Sequence, residues 1–450
     1  MRILTALLVL LPQAAQDPPP KPNVVFILAD DLGWTDLGCQ GSTYYETPRI
    51  DRLAAQGLRF TDGYSCGPNC QPTRAALLSG RYGPRTGIYT VGSIDRFDWK
   101  SRPLRPVDNV QKLAPDTVTV AESLKKAGYA TAMFGKWHLG EDPAHHPSKQ
   151  GFDEALVTMG RHVDFKTTPP VEVPKGAYLA DFLTDRACDF IRRHKDEPFF
   201  LYLPHFGVHS PYQAKPELVE KFMAKAAAGG HSNPVYAAMI ASVDESVGRV
   251  ADLLDELKLS EKTLVVFSSD NGGVGGYARE GIQGGGAATD NAPLKGGKGM
   301  LAEGGIRVPW ILRWPGRLAP GTTSDTPVLS VDLHPTLLDV AGLPRDASLD
   351  GASVLGPPPA RAIYWHFPGY LGAGKGQWRT TPAGAIREGD WKLLEYFEDG
   401  RLELYNLKED LGERRNLAAE RNEVAARLHA KLKLWREEVK APMPAKNSRD

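Results

Sequence analysis

Two acidic pairs follow directly on strand-like apolar runs. Asp30-Asp31 comes after Asn23-Val24-Val25-Phe26-Ile27-Leu28, and Asp270-Asn271 closes the run from Thr263 to Ser269. In open parallel sheets the carboxyl ends of the strands line the ligand crevice. Two such pairs delivered there would form a cage of hard oxygens suited to Ca²⁺ or Mg²⁺. Either pair alone reads as a turn cap; both together point to a metal. Histidine and cysteine are not clustered with them in sequence, which weighs against zinc.

A nucleophile has its own candidate in Cys66-Gly67-Pro68-Asn69-Cys70-Gln71-Pro72-Thr73-Arg74. Cys70 stands just before an apolar stretch, near a helix N-terminus, where the dipole and free N–H groups favour an anion and depress a thiol pKa. It could attack an anionic substrate with Arg74 one turn away, or it could be a disulfide or turn cysteine. Gly135-Lys136-Trp137-His138-Leu139-Gly140 follows another strand. If extended, Lys136 and His138 project to one side, an anion contact beside an acid or base. His205 and His209 follow the strand from Pro198 to Leu203, a placement that suits a general acid. Leu294-Lys295-Gly296-Gly297-Lys298-Gly299-Met300 resembles a phosphate loop but lacks Ser or Thr after Lys298. It is either a plain flexible loop or one that sets Lys298 on an anion. Asp332-Leu333-His334 opens an apolar helix and reads as structural, and neither GxSxG nor HExxH occurs.

These residues need a frame. The chain has 450 residues, 42% hydrophobic and 24% charged, which implies two or three folded units rather than disorder. Gly and Pro, at 46 and 36, predict many shaped loops. Lys+Arg and Asp+Glu both number 54, so no global field selects nucleic acid or an anionic membrane. After the N-terminus no apolar run reaches the roughly 18 residues of a membrane span. Residues 1–15 read as a secretory signal peptide, so the chain is expected to be exported to periplasm or medium. Four cysteines are too few for a disulfide scaffold.

Strands and helices alternate, predicting an α/β sheet. Strands are expected at 23–28, 130–134, 198–203, 263–267 and 308–312, with helices over 47–55, 118–127, 178–194, 235–257 and 330–340. Gly356-Pro357-Pro358-Pro359 reads as a linker. Beyond it lie short strands at 363–367, 391–396 and 401–405 and a helix over 423–439. The division is thus a unit over 21–355 and a smaller α+β unit over 360–440.

Taken together, these pieces resemble the type I, formylglycine-dependent sulfatases of the alkaline phosphatase-like fold, from Asn23 to about Leu417. Cys70-Gln71-Pro72-Thr73-Arg74 with Leu78-Ser79-Gly80-Arg81 is similar to the pattern read by that family's maturation machinery. The motifs around Lys136 and Lys298, Ile386 to Leu393, and Leu404-Tyr405-Asn406-Leu407 are similar too. The resemblance implies a large, mostly parallel mixed sheet between helices, with a smaller C-terminal antiparallel domain. It implies that a maturation enzyme converts Cys70 to formylglycine, whose hydrate supplies the nucleophile. Asp30, Asp31, Asp270 and Asn271, with the residue at 70, would hold one Ca²⁺. Arg74 and Lys136 would orient the hydrate, and Lys136 and Lys298 would balance sulfate charge. His209 would protonate the leaving alcohol and His138 would take the second proton.

Asn69 and Cys66 depart from the family pattern, and an unmodified Cys70 could pair with Cys66. A further polar contact is expected from Thr158, Arg161 or His162. The expected substrate is a sulfate monoester, with exo action on a sulfated carbohydrate against which Trp34, Trp365 or Trp378 could stack. The alternatives are a phosphonate or phosphate ester hydrolase using the same formylglycine, and a catalytically dead carbohydrate-binding protein.

Overall fold

A computed structural model describes residues 21–356 and 360–447. The expected signal peptide and most of the Gly356–Pro359 linker lie outside the described residues.

The centre is an eight-stranded sheet. Its strands are β1 (Asn23–Ala29), β2 (Leu58–Phe60), β3 (Ala130–Gly135), β4 (Glu154–Val157), β5 (Phe199–Pro204), β6 (Thr263–Ser269), β7 (Trp310–Arg313) and β8 (Thr322–Ser324). In space the order is β8-β2-β7-β6-β1-β5-β3-β4. β1 pairs in parallel with both β5 and β6, and β3 in parallel with β4 and β5. Only β7 runs against its neighbours, β6 and β2.

The inner strands are continuous apolar runs because both their faces are covered. Val25 and Ile27 belong to one core layer, beneath helices α1 (Pro48–Ala55), α4 (Leu179–Arg193) and α5 (Pro234–Glu256). Val24, Phe26 and Leu28 belong to the other, beneath α2 (Cys70–Ser79), α3 (Val120–Lys126) and α6 (Leu333–Val340). Local chemistry fixes the helix starts. Thr119 and Glu122 form a reciprocal capping box on α3, and the Asn233 side chain accepts from Val235 and Tyr236 N–H ahead of Pro234 in α5.

The C-terminal part carries a four-stranded antiparallel sheet over Ala362–Phe367, Ala383–Glu388, Trp391–Tyr396 and Leu402–Asn406, packed by α7 (Asn422–Glu438). A hairpin, Leu371–Gly374 with Gln377–Thr380, projects from it. Its core includes Tyr64 and Ile306 from the large unit.

Three expectations need correction. The strand placed at 308–312 is Trp310–Arg313 and antiparallel. The helix over 330–340 begins as a 3-10 turn, Ser330–Asp332, and becomes α-helical only from Leu333. Short strands such as β2, β4 and β8 went unpredicted, because three or four residues are too few for a period-2 signal.

Candidate active site

The carboxyl ends of four strands converge on one edge of the sheet. β1 delivers Asp30 and Asp31, and β6, in register at Ala29 and Ser269, delivers Asp270 and Asn271. β3 delivers Lys136 and His138, and β5 leads through His205 to His209. Gly135, at φ +136°, is required here, since a Cβ would stand 2.0 Å from the Pro204 carbonyl oxygen. That same oxygen accepts from Lys136 N–H at 2.8 Å.

Cys70 is the first residue of α2, which starts after extended Asn69 and ends at left-handed Gly80. Its Sγ lies 3.4 Å from Asp30 Oδ1, 3.8 Å from Asp31 Oδ1 and 3.5 Å from Lys298 Nζ. Arg74, one turn later, donates to Asp270 Oδ2 through Nε at 2.9 Å and Nη2 at 2.6 Å. Its Nη1 donates to the Lys136 carbonyl at 2.7 Å. Lys136 Nζ reaches Asp30 Oδ2 at 2.6 Å, and Lys298 Nζ reaches Asp31 Oδ2 at 2.7 Å. Three carboxylates thus face three cations in a buried cluster.

Burial pushes the Asp30 carboxyl up, but Lys136, then His209, Arg74 and Lys298, outweigh it and hold the group well below its ordinary value. Asp270 goes the other way, to about 6, through burial and then Asp30. Burial, then Lys136 and Arg74, drive His138 down to about 2, so it is neutral. The thiol corrects an expectation. Burial, then Asp270, push Cys70 up rather than down, because the helix terminus is enclosed among carboxylates.

The donor set suits a hard cation. Asn271 Nδ2 donates to Asp31 Oδ1 at 2.8 Å, while its Oδ1 is buried without a partner among the described residues. A buried orphan acceptor beside three carboxylates is what a Ca²⁺ cage offers. Asp30, Asp31, Cys70 and His209 present ligand atoms all within 4.8 Å of one another. His209 was not expected in that group.

The expected site residues Asp30, Asp31, Cys70, Arg74, Lys136, His138, His209, Asp270, Asn271 and Lys298 all gather at this edge. His138, however, is not extended. It sits at φ +63°, so its ring reaches the site through a turn and not by strand alternation. The Lys298 loop is no flexible loop: Lys298 N–H donates to Gly273 O, Gly299 N–H to Pro68 O, and Tyr277 Oη to Lys298 O at 2.7 Å. Cys66 and Cys70 are both free thiols. His205 is buried against Ser246 Oγ at 2.8 Å, apart from the cluster.

Of the three polar candidates, His162 reaches the site, its Nε2 2.8 Å from the His209 carbonyl. Thr158 is buried and Arg161 exposed. Trp365 is buried, donating to Ser65 O, and Trp378 packs among Phe97 and Tyr370. Trp34 stacks under Arg307. Trp365 is thus committed to packing, whereas Trp34 and Trp378 are only partly buried, and Trp378 lines a surface pocket. Asp332 caps Leu329 and Ala352 N–H and pairs with Arg361, as a structural residue would. Sequence reasoning missed Tyr277; an isolated Tyr in a glycine-rich loop carries no periodic signal.

Comparison with known proteins agrees with this geometry. The Sulfatase family model matches residues 22–343, and the model of the N-sulphoglucosamine sulphohydrolase C-terminal region matches 297–438. A sulfatase of Formosa agariphila is 34% identical, over 96% of this chain and 91% of its own. Human N-acetylgalactosamine-6-sulfatase is 37% identical over 76% of this chain and 66% of its own length. The crystal structure of Ps i-CgsB, also solved with k-i-k-neocarrahexaose, superposes with a TM-score of 0.77 at 29% identity, over 92% of each chain. The chain belongs to the sulfatase family, as a type I sulfatase of the alkaline phosphatase-like fold. It is therefore a sulfuric ester hydrolase.

Proposed function

We propose that this chain is an exported, calcium-dependent sulfatase that removes sulfate from a sulfated carbohydrate in exo fashion, with Cys70 matured to formylglycine. The observation that carries the reading is Cys70 Sγ set between Asp30, Asp31 and Lys298 at the start of a helix. Names of relatives support the carbohydrate: N-acetylgalactosamine-6-sulfatase, and a structural neighbour solved with a neocarrahexaose. Residues 1–15 support export, and among the described residues no helix is long and apolar enough to cross a membrane.

Asp30, Asp31, Asp270 and Asn271, with the residue at 70, would hold Ca²⁺, which supplies positive charge to the sulfuryl oxygens. Formylglycine supplies a hydroxyl nucleophile with a second hydroxyl on the same carbon. The remaining work falls to side chains already in place. Lys136 and Lys298 are preorganised cations in a water-poor site, where charge developing on the ester is stabilised most. Arg74, clamped by Asp270 and the Lys136 carbonyl, orients the nucleophile. His209 Nδ1 lies 2.5 Å from the Ser210 carbonyl oxygen, to which it donates. Its Nε2 therefore carries a proton only in the imidazolium; burial pushes the ring below its ordinary 6.5, which makes that proton easy to give up, and Asp31 Oδ2 at 3.7 Å opposes the shift. That proton goes to the leaving alcohol, an assistance of roughly 10²- to 10⁴-fold. His138, kept neutral, accepts the proton whose loss expels sulfate.

The test is sulfate release by protein co-produced with a maturation enzyme, on sulfated mono- and oligosaccharides and an aryl sulfate, with Cys70→Ala as control. Release from a sugar ester, absent in the control, supports the reading. Release from aryl sulfate alone removes the carbohydrate. No release, with formylglycine verified at position 70 by mass spectrometry, moves the reading to phosphonate or phosphate esters, or to a sugar-binding protein.

A further inference from the structure

Lys298 sits in a segment that cannot stiffen itself. Gly296, Gly297 and Gly299 surround it, and glycine leaves the backbone the most freedom to lose. Crowding requires them. A Cβ on Gly297 would stand 2.2 Å from the Gly275 carbonyl oxygen, and one on Gly299 2.3 Å from Leu371 Cδ2. Anchors must therefore come from neighbours. Within the large unit, Gly273 O and Pro68 O accept from Lys298 and Gly299 N–H, and Asn291 Nδ2 donates to Gly296 O at 3.1 Å. Tyr277 Oη donates to Lys298 O at 2.7 Å. Tyr277, only 2% exposed, thus grips the residue whose ammonium reaches Asp31 and Cys70.

Tyr277 is itself held from the other unit. It opens a 3-10 turn, Tyr277–Glu280, set between left-handed Gly276 and Gly281, so its own loop is also short of side chains. The C-terminal hairpin lies across that loop. Gln377 Oε1 accepts from Gln283 N–H at 2.7 Å, and Gln377 Nε2 donates to Gly281 O at 3.1 Å. Arg379 Nη2 donates to Gly285 O at 2.5 Å, and its guanidinium carbon lies 4.6 Å from the centre of the Tyr277 ring. A cation over a buried ring is attracted by the ring's quadrupole and fixes both partners. The Arg379 stem also closes on Gly299, where a Cβ would come within 3.1 Å of Arg379 Cδ. One side chain of the second unit therefore touches both the Tyr277 loop and the Lys298 loop.

Resting on the role given to Lys298 above, we propose that Arg379 is a positioning residue for sulfate ester hydrolysis, acting on Lys298 through Tyr277. The guanidinium holds the ring, the phenol hydroxyl holds the Lys298 carbonyl, and the ammonium is kept where charge develops on the ester. Preorganisation gives the reason. A cation that must be repositioned during the reaction loses much of its effect, and a misplacement of about 1 Å caused from afar can cost roughly 10²-fold. The hairpin of the second unit thus serves the reaction from behind the Lys298 loop, with no need to touch the ester.

The test compares Arg379→Ala, Tyr277→Phe and their double variant, each in the wild-type and the Lys298→Ala background. The measure is kcat/KM on an aryl sulfate, per mole of formylglycine found by mass spectrometry. Each single change is expected to lower it roughly tenfold in the wild-type background. The pair should cost less than about twofold beyond either alone, and all three should act by less than about twofold once Lys298 is Ala. Tyr277→Phe removes a single oxygen, so it serves even where Arg379→Ala fails to fold. Hydrogen exchange of the unmatured chain needs no turnover. Residues 294–300 are expected to exchange about fivefold faster or more in both single variants, with 263–269 unchanged. Losses that persist in full when Lys298 is Ala, or unaltered exchange over 294–300, overturn the proposal and leave the sulfatase reading intact. Lys298→Ala without effect overturns the role on which it rests. Absence of release from every ester by matured wild type overturns the sulfatase reading, and the purpose assigned to Arg379 with it.

Discussion

Lys298 Nζ stands 2.7 Å from Asp31 Oδ2, a contact that joins positions 267 residues apart in the chain. The pair is nearly buried and adjoins Cys70. Each charge is tolerated there because the other is present. Replacing Lys298 by Ala should leave Asp31 uncompensated and remove a cation from the reacting ester. We expect kcat/KM to fall by roughly 10²- to 10³-fold, the usual cost of losing one preorganised electrostatic contact. Steady-state kinetics on an aryl sulfate will measure it.

Position 70 admits a sharper comparison. Cys70→Ala should release no sulfate while melting within a few degrees of wild type. Cys70→Ser has a hydroxyl but no second one on the same carbon, so transfer of sulfate to it should stall. Intact-mass spectrometry is expected to find one SO₃ added per serine chain after incubation with substrate, and none on the alanine chain.

Chelation tests the cage of oxygens. A ligand present at 100 times its Kd stabilises the folded state by about 2.7 kcal/mol. Prolonged treatment with a chelator should therefore lower the melting temperature by several degrees and abolish turnover. Ca²⁺ should restore both. Asp270→Asn is expected to blunt the thermal response to Ca²⁺, read by calorimetry; an unchanged response would remove Asp270 from the ligand set.

Acid stability follows from three histidines far from chemistry. Burial pushes His205, His334 and His366 each down to about 4 from 6.5. The unfolded chain binds protons that the folded one refuses between those values, so stability is full above pH 6.5 and is lost as pH falls towards 4. Each histidine accounts for up to about 3 kcal/mol. Asp244 opposes them: its carboxyl, pushed by burial to about 6, makes the fold less stable as pH rises from about 4 to 6. Asp270, also raised to about 6, acts with Asp244, while His138, driven down to about 2, joins the three histidines; the histidines outweigh the two carboxylates, so the melting temperature should drop on acidification from 6.5 to 4. His366→Gln should reduce that slope; an unaltered slope would show that His366 does not contribute.

The two units meet in a buried ionic cluster. Lys392 Nζ lies 2.8 Å from both Glu303 Oε1 and Glu413 Oε1, and Glu303 also receives Tyr64 Oη at 2.8 Å and Arg307 Nη1 at 3.1 Å. Lys392→Met should leave Glu413 without its cation while Glu303 keeps Arg307, and cost about 3–5 kcal/mol, measured by denaturant unfolding.

Much of this was written in the chain. Val24 to Leu28 and Leu264 to Phe267 read as buried strands because both sheet faces are covered, and acids at their ends therefore marked the crevice. Cys70 before an apolar helix was equally legible. The positive φ of His138 was not, since a single left-handed residue after a strand leaves no periodic signal. Nor was the direction of the Cys70 pKa, because a helix dipole is a local property whereas desolvation is set by residues from positions 30 to 298. The contact between His162 and the His209 carbonyl joins two loops and has no sequence period to reveal it.

Cys70 is 1% exposed in the finished fold, and this has a consequence in time. Any enzyme that rewrites this side chain must meet it on an unfinished polypeptide. The cluster that locks the two units together ends at Glu413, so synthesis leaves an interval of more than 300 residues between appearance of the thiol and closure over it. On the maturation proposed above, the rate at which the chain is made would set how many molecules are ever activated, and a variant that folds faster is expected to be the less active one.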